Sequence, residues 1–251
     1  MKRKTASIER SDNIAILHLD KPPVNALDLT LVADVETCLK SVEHDPAVRA
    51  VVITGKGKCF SAGLDLKTIP YYTPAEQRRL VEDLNRTVAW IYGFPLPTVA
   101  AINNHAIAGG FILAIICDYR VGTSGSGKLG VTEVKVGIPF PFSTMEVLRS
   151  ELTPATARQM TLVGRTVGPE QALAQGVIDE IRPAQEVLSR AIEVARDFAG
   201  LPKEAYTRIK RQLRGEAIAR MEEVIRTGSD PLLQTWITEE GRLASARQLG
   251  R

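Results

Sequence analysis

Through residue 145, short apolar or β-branched runs alternate with segments of helical apolar spacing, and this alternation most constrains the fold. NIAILHLD (13–20) reads as a strand. LVADVETCLKSVEHD then carries apolar residues at helical spacing, and VRAVVITG gives a buried strand ending on Gly55. TPAEQRRLVEDLNRTVAWIYG opens with a Thr cap and Pro at the first helical position, a helix start. PTVAAINN reads as a strand, GGFILAIICD as a buried helix and DYRVGTS as a strand. LGVTEVKVG is expected to hold a short strand before IPFPF. Strands alternating with helices make an α/β architecture. From Thr153 onward the pattern is mostly helical, from TPATARQMTLVG to KEAYTRIKRQLRG and DPLLQTWITEEGRLASARQ. No repeat of fixed length and no low-complexity linker occurs, so one α/β core with a helical C-terminal extension is expected.

Composition excludes several classes of function. The chain is 44% hydrophobic and 24% charged, ordinary for a globular protein. A net charge of +3, with basic and acidic residues intermingled, gives no stripe for nucleic acid. The longest apolar run, Ala106–Cys117, falls short of the ~20 residues that a membrane span needs. Cys38, Cys59 and Cys117 form no CxxC pair, which fits reduced thiols. MKRKTASIERSDN is basic but no apolar segment follows it, so a cytoplasmic location is expected. His18, His44 and His105 lack zinc-binding spacing, and no metal is expected.

GTSGSGKL (122–129) matches the first seven positions of a phosphate loop, but Leu129 stands where Ser or Thr would hold magnesium. No helix pattern follows to present its N-terminus to phosphate, so the segment reads as a surface turn. Two other glycine segments each follow a strand: CFSAGLDL (59–66) and HAIAGGFILA (105–114). Each can aim backbone N–H groups at a common point, as a developing oxyanion requires. Close helix–strand packing is the competing reading of the same glycines, and the pattern alone favours it.

Together these segments resemble the signatures of the crotonase (enoyl-CoA hydratase/isomerase) superfamily. CFSAGLDLK is similar to its FxAGxDxx segment, and INNHAIAGGFILAIICDYRV to its glycine-rich loop and helix closing on CDxR. PPVNALD looks like its NAL segment, and LGVTEVKVGIPFPF like the segment that carries an active-site glutamate. TLVGRTVGPEQALAQGVIDEI fits a later family pattern, so the motifs run in order over residues 8–215. The resemblance implies a crotonase-like (ClpP/crotonase) spiral of ββα units over residues 1–195, with residues 196–251 as a helical extension for oligomerisation and active-site cover. It implies a homotrimer or dimer of trimers acting on an acyl-CoA, the coenzyme A thioester being substrate and no cofactor being needed.

By position, the resemblance places oxyanion N–H groups on Leu64 and Gly109 and the catalytic glutamate at Glu133. It places substrate contacts at Val24, Ala26, Ala62, Asp65, Leu66, Gly110, Ile112 and Thr132. Asp118 and Arg120 are expected to form a structural pair, and Thr68–Gln77 to help shape the acyl pocket. Family hydratases carry a second glutamate three residues beyond the oxyanion glycine, where this chain has Ile112. A single carboxylate suits a 1,3-proton shift. The expected activity is therefore isomerisation of 3-enoyl-CoA to 2-enoyl-CoA, in fatty-acid or related acyl-CoA catabolism. An apolar wall of Ile112, Ile138 and Phe140 would raise the Glu133 pKa and strengthen it as a base. The alternatives are a 2-enoyl-CoA hydratase helped by a second group such as His105, and a non-catalytic acyl-CoA-binding protein.

Overall fold

The computed structural model describes residues 4–250; residues 1–3, at the start of the basic N-terminal segment, and residue 251 lie outside the description. Nine strands are described: β1 (Ala6–Ser11), β2 (Ile14–Leu19), β3 (Ala50–Gly55), β4 (Cys59–Ser61), β5 (Thr98–Ile102), β6 (His105–Ile107), β7 (Tyr119–Thr123), β8 (Leu129–Gly130) and β9 (Glu180–Arg182). The helices are α1 (Leu29–Glu43), α2 (Pro74–Tyr92), α3 (Gly109–Ile115), α4 (Glu133–Val136), α5 (Phe142–Glu151), α6 (Pro154–Val163), α7 (Pro169–Ala174), α8 (Val187–Ala199), α9 (Lys203–Thr227) and α10 (Glu239–Gln248).

Alternation within the strands explains why the larger sheet is covered on both faces. Val51 and Ile53 of β3 and Ala100 and Ile102 of β5 join one core, with α1, α2, α3 and α5. Their sequence neighbours Ala50, Val52, Val99 and Ala101 join a second core, against Ala191, Val194 and Ala195 of α8. Side chains alternate across a strand, and a parallel sheet needs cover on both sides. This sheet runs β1-β2-β3-β5-β7-β9 and is parallel except for the β1–β2 hairpin. A smaller parallel sheet has the order β4-β6-β8. Successive pairs β3–β4, β5–β6 and β7–β8 each place one strand in the large sheet and the next in the small one, before a helix. This is the spiral of ββα units expected from the motifs.

Several elements depart from the sequence reading. Strands β1 and β9 were not expected, nor was α5, which begins on Phe142, the last residue of the proline-rich IPFPF. The VTEVKVG segment is strand only to Gly130, and Glu133 opens the helical turn α4 rather than lying on a strand edge. Helix α9 runs past Gly215, where the pattern suggested a stop. A Cβ there would meet nothing within 4 Å, so the glycine costs only about 1 kcal/mol. The buried stripe Lys210, Arg214, Ala217 and Met221 continues across it.

That stripe also corrects the expected Asp118–Arg120 pairing. Asp118 instead accepts from Lys210 Nζ and Arg214 Nη1, each at 2.8 Å. Arg120 pairs with Glu151 at 3.3 Å and Asp179 at 3.2 Å. Both residues are structural, but they tie the core to different elements. Among the described residues, no helix is long and apolar enough to cross a membrane, and no cluster of His, Cys, Asp and Glu could hold a metal ion.

Candidate active site

The small sheet gathers the site. Parallel strands point the same way, so residues just beyond their carboxyl ends lie side by side. After β4 come Ala62–Gly63–Leu64, after β6 come Ala108–Gly109, and after β8 come Val131–Thr132–Glu133. Three segments distant in sequence thus become neighbours, in the order of the strands.

Backbone geometry fixes the first two segments. Leu27 and Leu64 form a parallel bridge, with Leu27 N–H donating to Gly63 O at 2.7 Å and Asp65 N–H to Leu27 O at 2.8 Å. In extended chain the intervening Leu64 N–H faces the opposite side. Gly109 is the first residue of α3, where an N–H has no partner within the helix. Among the described residues neither Leu64 N–H nor Gly109 N–H donates to a protein acceptor. The segments touch: a Cβ on Gly63 would lie 2.8 Å from Gly109 N. Gly110 is required for packing, because its Cβ would lie 2.7 Å from the carbonyl carbon of Ser61.

The PPVNALD segment is stapled beneath this pair by Asn25, a buried residue with a left-handed backbone (φ 51°). Asn tolerates that conformation better than most residues. Its Nδ2 donates to Lys56 O, Cys59 O and Phe60 O at 2.9–3.2 Å. Ser61 Oγ donates to Asn25 O at 2.7 Å and accepts from Gly63 N–H at 3.2 Å. Asn25→Ala would leave buried carbonyls unpaired and is expected to cost about 2–3 kcal/mol of stability. Urea unfolding at constant m-value measures this; a loss below about 0.5 kcal/mol would mean that the staple contributes little.

Glu133 is 5% exposed, at the first position of α4. Thr132 N–H donates to its Oε2 at 2.7 Å. Burial pushes the carboxyl up to about 7, against the opposing pull of backbone N–H bonds from Glu133 itself and Thr132. Among the described residues no Lys or Arg pairs with it.

Two cavities meet at Leu64 and Glu133, which line both. The first is mainly apolar and is walled by Leu27, Gly109, Ile112, Phe140 and Trp236, with Leu84, Thr87, Val88 and Thr144 beyond. The second is walled by Ala62, Leu66, Ile107, Thr132, Ile138 and Gln248. Glu133 is the one titratable side chain among the described residues lining either cavity.

The motif-based positions separate accordingly. Leu64, Gly109, Ile112 and Glu133 converge on the first cavity, and Ala62, Leu66 and Thr132 on the second. Val24, Ala26, Asp65 and Gly110 line neither. Val24 O accepts from Ala62 N–H at 3.0 Å, and Ala26 O accepts from Lys21 Nζ at 3.0 Å. Asp65 pairs with Lys21 at 3.2 Å and accepts from Lys67 N–H, closing a turn. His105 also lines neither cavity; its Nδ1 accepts from Lys128 N–H at 3.1 Å. Of the expected apolar wall, Ile112 and Phe140 flank the first cavity and Ile138 the second. Residues 68–77 line neither cavity, contrary to expectation; residues of α2 and α5, with Trp236, wall the first cavity instead. Trp236 was missed because it sits in a stretch that read as helix but is irregular between a 3₁₀ turn (Pro231–Leu233) and α10. The Thr238 cap of α10 was the available signal.

The profile of the family described as enoyl-CoA hydratase/isomerase matches residues 9–244. The chain belongs to the enoyl-CoA hydratase/isomerase family. Mitochondrial enoyl-CoA delta isomerase 1 of Mus musculus is 30% identical, over 85% of this chain and 74% of that protein. A crystal structure of an enoyl-CoA hydratase from Mycobacterium ulcerans superposes with a TM-score of 0.82 at 32% identity, covering 89% of this chain and 98% of that one. Human mitochondrial delta3-delta2-enoyl-CoA isomerase gives 0.85 at 25% identity, covering 98% of both chains. Family members named for either reaction therefore share this fold.

Proposed function

We propose that this protein is an acyl-CoA double-bond isomerase converting 3-enoyl-CoA to 2-enoyl-CoA, with Glu133 as the only acid–base group. The observation that carries this reading is that, among the described residues, Glu133 is the single titratable side chain lining the two joined cavities. The acyl chain occupies the apolar cavity, and the pantetheine arm enters along the second. The thioester oxygen lies between the N–H groups of Leu64 and Gly109.

Ionised Glu133 removes a proton from C2, breaking that C–H bond and forming O–H on the carboxyl. The electron pair moves onto the thioester oxygen as a dienolate, where each backbone donor is worth about 2.7–4 kcal/mol to the transition state. Protonated Glu133 then returns the proton at C4, and the double bond moves from C3=C4 to C2=C3. Charge and electron count balance, and no metal, redox cofactor or water is consumed. Hydration instead requires groups to orient water, deprotonate it and supply a proton. Ile112 offers an apolar side chain on α3 where family hydratases carry a glutamate, and His105 is tied to the backbone outside the cavities.

Purified protein given 3-enoyl-CoA is expected to generate the absorbance of the conjugated thioester faster than it removes that absorbance from 2-enoyl-CoA. Faster loss from 2-enoyl-CoA would establish the hydratase reading. Tight acyl-CoA binding without C2 proton exchange in heavy water would establish a non-catalytic one.

A base must be ionised to act, and burial raises this one to about 7. In the free enzyme, kcat/KM is expected to rise about tenfold per pH unit below 7 and level off above it. A second, descending limb near neutrality would mean that another acid takes part and would count against a single shuttle.

A further inference from the structure

We infer that Trp236 is a specificity-determining residue that restricts the acyl group to short chains, making the C-terminal segment part of the acyl site. This rests on the reading that the apolar cavity receives the acyl chain.

The indole is 1% exposed and is fixed at its polar end, Nε1–H donating to Pro139 O at 2.8 Å. It packs with Leu80 and Val81 of α2 and with Ile138, so it spans the gap between that helix and the chain following Glu133. The flanking chain is anchored on both sides. Upstream, buried Asp230 accepts from Asn85 Nδ2 at 2.7 Å and from Phe142 N–H at 2.9 Å. Downstream, Ile237 N–H donates to Gln77 Oε1 at 3.1 Å. Helix α10 then lies on α4, where Gly137 and Gly241 approach so closely that a Cβ on Gly137 would sit 2.8 Å from Gly241 Cα. Two anchors and an indole bond make Trp236 a fixed wall.

Its consequence is a small acyl space. The centre of a water-sized group can range over about 40 Å³ in the first cavity, against about 150 Å³ in the second, so the acyl side is the more closely walled of the two. A chain that fits gains about fourfold in affinity per buried methylene. A longer chain must displace the indole from its anchors.

The test measures binding of saturated hexanoyl-CoA and dodecanoyl-CoA by calorimetry, so that selectivity is read independently of the reaction. The variants are Trp236→Ala, Trp236→Phe and Trp236→Leu, each confirmed as folded by circular dichroism. The native protein is expected to prefer hexanoyl-CoA. Trp236→Ala should shift the hexanoyl-to-dodecanoyl affinity ratio by at least about tenfold towards dodecanoyl-CoA. Trp236→Phe, which retains most of the bulk, should shift it less. If Trp236→Ala does not fold, Trp236→Leu carries the test and should shift the ratio at least about fourfold. An unchanged ratio in the folded variants, or a native protein that binds dodecanoyl-CoA more tightly, overturns the role of Trp236 while leaving the acyl site intact. Binding of neither thioester to the native protein overturns the acyl-CoA reading itself, and the chain-length role with it.

Discussion

Glu133→Gln is expected to lower kcat about 10⁴-fold, the upper end for general acid–base catalysis, with little change in KM. The side chain is proposed to act twice in each turnover, taking a proton and returning it, and an amide can do neither at neutral pH. The substitution keeps the shape and an oxygen able to accept the Thr132 N–H bond, so the wall of the cavity is preserved. Its effect on stability should have the opposite sign. A folded-state pKa of about 7, above the ordinary 4.5, means that the folded protein holds this proton more tightly than the unfolded chain. Stability is therefore lost as pH rises from the unfolded value through the folded one, reaching about 3 kcal/mol above neutrality. Glutamine carries no such cost. Thermal unfolding should show the variant more stable than the native protein at pH 8 and nearly equal at pH 4.5. Native turnover by Glu133→Gln, from protein verified to contain no wild-type enzyme, would falsify the assigned role. Equal stability at pH 8 would show that burial does not destabilise the ionised carboxyl.

Gly63→Ala should produce the other large effect, through the backbone. The residue has φ +80°, a conformation that L side chains rarely adopt. Its Cβ would lie 2.5 Å from Ala108 Cβ, 2.7 Å from Ile107 O and 2.8 Å from Gly109 N. All three atoms belong to the segment that carries the second proposed donor. Relief of those contacts must either push the two segments apart or rotate the Leu64 peptide. Misplacing one donor is expected to lower kcat about 10²–10³-fold, and overpacking with strain to cost about 2–4 kcal/mol of stability. Urea unfolding and steady-state kinetics on one preparation separate these effects. A folded variant with kcat within threefold of native would show that the Leu64 and Gly109 N–H groups do not stabilise the reacting oxygen.

Much of the architecture was legible because strand and helix periods differ and the caps are explicit. The Thr73–Glu76 capping box that opens α2 is an example, with reciprocal side-chain and backbone bonds. The site motifs were legible as glycines whose space is filled by neighbouring backbone. What sequence did not reveal arises from tertiary contact. The position of Glu133 was legible from the motif, but its burial was not, because that depends on α4 forming and on α10 packing against it. Phe142–Glu151 follows two prolines, Pro139 and Pro141, and its helix start rests on Asp230 and Asn85, which are remote in sequence. Helix α9 passes a glycine because the buried stripe that starts with Lys210 and Arg214, both bound to Asp118, continues beyond it with Ala217 and Met221. Trp236 reaches the cavity through anchors at both ends of its segment, which no local pattern encodes.

The arrangement of β4, β6 and β8 has a consequence for how such a chain can change. Each of the three neighbouring strand ends delivers a separate piece of the site from a separate stretch of sequence. The glycine-bearing ends are constrained by backbone contacts, so most substitutions there disturb the framework. The side chains of Ile112 and Phe140 that line the cavity are under no such backbone constraint. A scaffold of this kind separates an inflexible frame from exchangeable fittings. Relatives named for different reactions can then retain one architecture.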